Sequence, residues 1–190
     1  RRTRLLGERF AAARRAIERR WGCHNYELPL SGLCETEPFI KFAVHLLGQL
    51  PRLHETYNAS VREFRRVYGI RSRNHPVPDL AAAGDWLESP FWAWRDGQAR
   101  RGRLFARLIQ DRIELRAGET AMPALPLIKQ FPGSDSSADE IVAAWRGLRR
   151  RGFKIRTRAL LTTLYSRLFL ADLFIHGIGG GKYDELTDEI

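Results

Sequence analysis

From Ala171 to Asp184 the chain reads Ala-Asp-Leu-Phe-Ile-His-Gly-Ile-Gly-Gly-Gly-Lys-Tyr-Asp. A short apolar run, a glycine cluster and a polar restart together describe a buried strand that turns through glycine into a helix. That order constrains the fold more than any other segment, because it is how α/β proteins place backbone N–H groups around an anion. Leu173 to Ile175 is therefore expected as a strand, and a helix is expected from near Tyr183.

The preceding stretch supports the same class. A helix through Arg150, capped by Ser136 or Ser137 and ended by Gly152, leads to a short strand at Lys154 to Thr157. A helix from Ala159 to Leu170 follows, with Leu160, Leu161, Leu164, Leu168 and Phe169 on one stripe. Strands alternating with helices predict an α/β fold with a parallel sheet. The other two thirds differ. Residues 1–84 read as helical, with an apolar stripe of Leu5, Leu6, Phe10, Ala13 and Ile17 between Arg4 and Trp21. A second helix is expected behind Thr36 and Pro38, and a third from Pro51 to Tyr68. Residues 85–120 predict a small antiparallel meander: an aromatic strand at Pro90 to Trp94, then Arg103–Ile109 and Arg112–Arg116 around a Gln110-Asp111 turn. Ala117 to Asp135 is expected to be irregular. Residues 121–190 form the α/β part, and the short last helix suggests a fragment of a longer protein.

Composition narrows the function classes. The longest apolar candidate, Leu160 to Ile178, is interrupted by Arg167 and Asp172 and is no membrane span. With no secretory leader in the sequence, a cytoplasmic location is expected. Two cysteines, Cys23 and Cys34, make no disulfide framework, and with His24 they lack the spacing of a zinc site, so no metal is assigned. The net charge of +10 permits an anionic or nucleic-acid partner, although the arginines are scattered among acids.

Three constellations carry chemistry. At Gly177, Gly179, Gly180 and Gly181, positive φ and close backbone approach would cradle phosphate. Lys182 adds a point charge, and His176 stands at a strand end where open α/β sheets place working residues. Asp184 and Asp188 share one helix face. The spacing is neither G-x-G-x-x-G nor that of the P-loop. The second constellation is Arg71, Arg73, Asn74, His75 and Asp79, on a loop stiffened by Pro76 and Pro78 that suits either a carboxylate or phosphate ligand or plain exposure to solvent. The third is Trp86, Trp92 and Trp94, three tryptophans within nine residues that suit either stacking on a base or ring or aromatic packing in the core of a small sheet.

Leu28-Pro29-Leu30-Ser31, Ile70 to Pro78, Asp85 to Trp92 and His176 to Asp184 resemble an uncharacterised bacterial family of larger proteins with an HGIGGxKYD motif. More remotely, the order of elements resembles the bacillithiol-biosynthesis cysteine-adding enzyme. Leu53-His54-Glu55-Thr56-Tyr57-Asn58, a basic hairpin, an arginine-led helix and a glycine segment carry that likeness. The family's Gly-Gly-Pro-x-Glu is replaced here by Gly179-Gly180-Gly181-Lys182-Tyr183. The resemblance implies a Rossmann-like core and ligase chemistry. The leading expectation is thus a nucleotide- or phosphate-binding α/β protein, such as a ligase or group-transfer enzyme using ATP or ADP with Mg. His176 would act in the reaction, and Arg71, Arg73, Asn74 and His75 would hold a small acidic substrate. The alternative is an arginine-rich nucleic-acid-binding module.

Overall fold

The computed structural model describes residues 6–127 and 135–190. Four helices come first: α1 (Leu6–Arg20), α2 (Leu30–Leu33), α3 (Glu37–Gly48) and α4 (Leu50–Val67). Thr36 stands at the N-cap of α3 with Pro38 in its first turn, as expected, but its hydroxyl donates back to Leu33 O at 2.7 Å. Pro51 opens α4, and Leu53, Tyr57, Val61 and Phe64 recur on the buried side of that helix.

The sheet contains β1 (Ala82–Ala83), β2 (Trp86–Arg95), β3 (Gly102–Ile109), β4 (Arg112–Ala117), β5 (Thr120–Pro126) and β6 (Phe153–Thr157), with α5 (Asp135–Arg150) between the last two. Its order is β1-β2-β3-β4-β5, with β6 also on β2. All five pairings are antiparallel, and helices lie on both sides. This corrects the expectation of a Rossmann-like parallel sheet. An alternating β and α order makes parallel pairs only if successive strands come to lie side by side through a crossover. Here β6 alone sits between helices, and it runs against β2. The second strand, expected at Leu173 to Ile175, is irregular backbone, and Leu173 and Ile175 are 78% and 82% exposed. Apolar side chains in that position face solvent and cannot fill a sheet core.

The meander is larger than its sequence signal. Gln110 takes φ 53° in the two-residue turn between β3 and β4, and Gly118 takes φ 58° before β5. β5 is an edge strand containing Pro123 and Pro126, which hid it from sequence reading; an edge position tolerates their missing donors. Pro90 lies inside β2, where the register with β3 shifts between Glu88 and Trp92. This irregularity accommodates a residue that cannot donate to the ladder. Pro90 O instead accepts from Arg158 N at 3.1 Å.

Register divides the sheet into two faces. Leu87, Phe91, Ala93, Leu104, Ala106, Ile113, Leu115, Met122 and Leu125 enter one core with α3, α5 and α6 (Ala159–Phe169), through residues such as Phe39, Trp145 and Tyr165. Burying side chains of this size contributes roughly 1.5–3 kcal/mol each. A second cluster joins Tyr57, Val61, Phe64, Leu80, Leu160 and Leu186, and places α4 beside α7 (Ile178–Glu189). The caps expected at Ser136 and Ser137 involve side chains outside the described residues.

Candidate functional site

The glycine segment does not form the expected strand-to-helix turn. Gly177 is the N-cap of α7 with φ −67°, and Gly179, Gly180 and Gly181 lie in the helix itself. Positive φ occurs elsewhere, for example at Gly69 and Gly84. Gly180 is small for a packing reason: a Cβ there would come within 3.1 Å of His176 Nδ1. His176 Nε2 stands 2.9 Å from Asp184 Oδ2, and Arg167 meets Asp184 at 3.1 Å and Asp188 at 2.7 Å. The two aspartates thus hold an arginine, and Asp184 also faces His176. Lys182 Nζ lies 4.9 Å over the Tyr68 ring, and the Tyr68 hydroxyl donates to Glu185 at 2.5 Å. Among the described residues, no group of three or more His, Cys, Asp or Glu could hold a metal ion.

The 70–79 loop is organised by a residue that sequence reading missed. Arg65, 12% exposed, donates from Nε to His75 O at 3.0 Å, from Nη1 to both Asp79 oxygens at 3.1 and 3.0 Å, and from Nη2 to Arg73 O at 2.5 Å and Val77 O at 2.6 Å. One guanidinium therefore commits its whole donor fork to closing the loop. Beside it, Asn58 pairs with both backbone groups of Leu80 at 3.0 and 2.8 Å, and His54 Nε2 lies 3.2 Å from Ala81 O. Their spacing of four puts both side chains on one side of α4. Arg71, Arg73, Asn74 and His75 keep exposed side chains on the outside of this loop. Tyr68, just before the loop, links this region to the glycine helix. Arg65→Met is expected to cost at least about 1.5–3 kcal/mol, the net worth of one charge-assisted hydrogen bond. It should also open the loop to limited proteolysis, which mass spectrometry of the cleavage products would locate.

The densest arrangement of functional groups lies on the sheet face turned away from the main core. Antiparallel register aligns Glu88 with Phe105, Trp92 with Arg103, Phe105 with Arg116 and Arg107 with Glu114, so these side chains share one face. Guanidinium groups lie over its rings. Arg107 and Arg116 stand 4.7 and 4.9 Å from the Trp86 ring, and Arg116 stands 4.7 Å from Phe105. Arg158 and Arg101 stand 4.5 and 5.7 Å from Trp92. Arg156 lies 5.7 Å from Trp94 but is buried and paired with Glu35 at 3.2 Å.

Glu88 anchors this face. It is fully buried; its Oε2 accepts from Ala81 N–H at 3.0 Å and from Arg103 Nη1 at 3.1 Å, and its Oε1 stands 2.7 Å from Arg158 Nη2. Arg103 is nevertheless 52% exposed, so its guanidinium is fixed at one end and open to solvent at the other. Trp86, Trp92 and Trp94 were legible as a cluster in the sequence. Glu88 as their charged anchor was not, because its pairing depends on Arg103 from β3 and Arg158 at the N-cap of α6.

Of the two cysteines, Cys23 is exposed and Cys34 is buried. Burial pushes the Cys34 thiol up to about 11, against the opposing pull of the Arg156 charge. Burial likewise pushes the Tyr57 phenol up to about 12. Both groups stay protonated in the fold after they would ionise in the open chain. The stability these two groups contribute is therefore full below about pH 9 and falls as pH rises through the two folded values. Native protein at pH 8 should react with a thiol reagent at Cys23 and spare Cys34; equal rates at both would contradict this burial.

Comparison with known proteins returned no match, whether by family model, by sequence among curated proteins or by structure among solved folds.

Proposed function

We propose that the arginine–tryptophan face of the antiparallel sheet binds single-stranded nucleic acid. The observation that carries this reading is the stacking of Arg101, Arg107, Arg116 and Arg158 on Trp92, Trp86 and Phe105 across neighbouring strands. Unpaired bases stack on aromatic rings and on guanidinium planes alike, while the charges of Arg101, Arg107 and Arg116 meet phosphates. A sheet face carrying both groups suits a splayed strand better than a paired duplex, whose bases are hidden. The net charge of +10 favours the encounter.

The small-molecule reading, with ATP or ADP bound by the glycines, loses support from the geometry. Its loop is a helix, and its His176 faces Asp184. The test is a titration of tryptophan fluorescence and oligonucleotide anisotropy with oligo(dT) and with a duplex of the same length. Binding of the single strand with quenching of tryptophan emission supports the proposal. Equal affinity for the duplex without quenching, or no binding, removes it.

A further inference from the structure

Arg103 is held differently from the other exposed arginines of the sheet face. Arg107 and Arg116 pair with Glu114 and Glu119, whose side chains are 38% and 95% exposed. Arg103 donates from Nη1 to Glu88 Oε2 at 3.1 Å, and that carboxylate is fully buried. A carboxylate taken out of water is costly unless it is paired and hydrogen-bonded. Glu88 has Arg158 at 2.7 Å and Ala81 N–H at 3.0 Å as its other partners. One carboxylate therefore serves two guanidinium groups, and the cluster keeps a net positive charge. It also fixes the plane of a guanidinium that remains half open to solvent.

A phosphate offers acceptors all round and takes an arginine in many orientations. A base edge does not, because its acceptors lie in one plane at a set spacing. With Nη1 held by Glu88, the Nε–H and Nη2–H edge of Arg103 has no hydrogen-bond partner among the described residues. That edge is a planar pair of donors. Register places Arg103 directly opposite Trp92, and side chains so paired stand about 5 Å apart at Cβ. Arg158, 13% exposed, packs on the Trp92 ring at 4.5 Å. A base lying on the Trp92 ring thus has its edge beside the donor pair of Arg103.

Two adjacent donors need two adjacent acceptors. Guanine presents them at O6 and N7, whereas adenine sets an amino donor beside its N7 and thymine sets a methyl group beside O4. Cytosine has adjacent N3 and O2, but O2 flanks the sugar, and one ring covers less of an indole than a purine does. We infer that Arg103 makes the Trp92 position selective for guanine, through a bidentate contact to O6 and N7. The inference rests on the sheet-face reading above and names the base that this face prefers. On oligo(dT), which lacks the acceptor pair, the same guanidinium is left to a phosphate.

The test is an anisotropy titration of the full chain with oligo(dT) and with the same strand carrying one central guanine, 7-deazaguanine, adenine or cytosine. The guanine strand should bind about 5- to 150-fold tighter than the adenine or cytosine strand, the range for one bidentate pair. 7-Deazaguanine, in which carbon replaces N7, should lose most of that preference. Arg103→Met removes the donors and should bind the guanine and adenine strands alike, with urea unfolding to check that it is folded. If oligo(dT) itself does not bind wild type, the sheet-face reading falls and this inference with it. If oligo(dT) binds but guanine is not preferred, if 7-deazaguanine binds as well as guanine, or if Arg103→Met keeps the preference, the guanine contact alone is overturned.

Discussion

Glu88→Gln is expected to destabilise the protein by about 3–5 kcal/mol, the usual cost of removing one partner from a buried ion pair. The shape and the oxygen that accepts Ala81 N–H are kept, but the amide nitrogen then stands where Oε1 faces Arg158, so the loss combines the charge with a donor set against a donor. Arg158, 13% exposed and lying over Trp92, would be left with its guanidinium out of water and without its carboxylate. Arg103 suffers less, because half of it already meets solvent. Replacing both buried partners, as in Glu88→Leu with Arg158→Met, should recover part of the loss, since it removes the unpaired buried charge while Ala81 N–H and Arg103 still lose their acceptor. Urea unfolding of wild type, Glu88→Leu, Arg158→Met and the double forms a cycle that reads the coupling directly. A Glu88→Gln protein as stable as wild type would show that the carboxylate does not anchor the face.

The second large effect concerns binding. Trp92→Ala should weaken single-stranded nucleic acid by about 1–3 kcal/mol, the range for one base–aromatic stack. Arg107→Gln with Arg116→Gln should act through charge instead, lowering the salt slope by roughly 1.4 if each arginine meets one phosphate. Affinity should then fall for every sequence alike. The two kinds of substitution are separable: loss of the ring weakens binding at all salt concentrations, whereas loss of charge matters most at low salt. Arg71→Gln on the outer loop serves as a control that keeps this face intact.

What the sequence revealed depended on how local each feature is. The stripe of α4, the hairpin at Gln110-Asp111 and the tryptophan cluster are set within a few residues, and each is present. The parallel sheet was inferred from element order alone, and order does not fix which strands become neighbours. The apolar run before His176 looked like a strand because periodicity does not report burial; its side chains turned out to face solvent. The glycines looked like a turn because glycine permits one, but Gly180 lies inside a helix against the His176 ring, where a Cβ would come within 3.1 Å of Nδ1. Arg65 and Glu88 escaped notice for a common reason. Each is one charged residue in an unremarkable local pattern, and its partners arrive from elsewhere in the chain.

The most direct test of the sheet-face assignment is the affinity for oligo(dT) measured across a series of salt concentrations. Contacts from Arg101, Arg103, Arg107 and Arg116 to four phosphates predict a log–log slope near −2.8, at about 0.7 per contact for a single strand. Tryptophan quenching should accompany binding at every salt concentration. A slope near zero, or binding without quenching, would contradict the assignment.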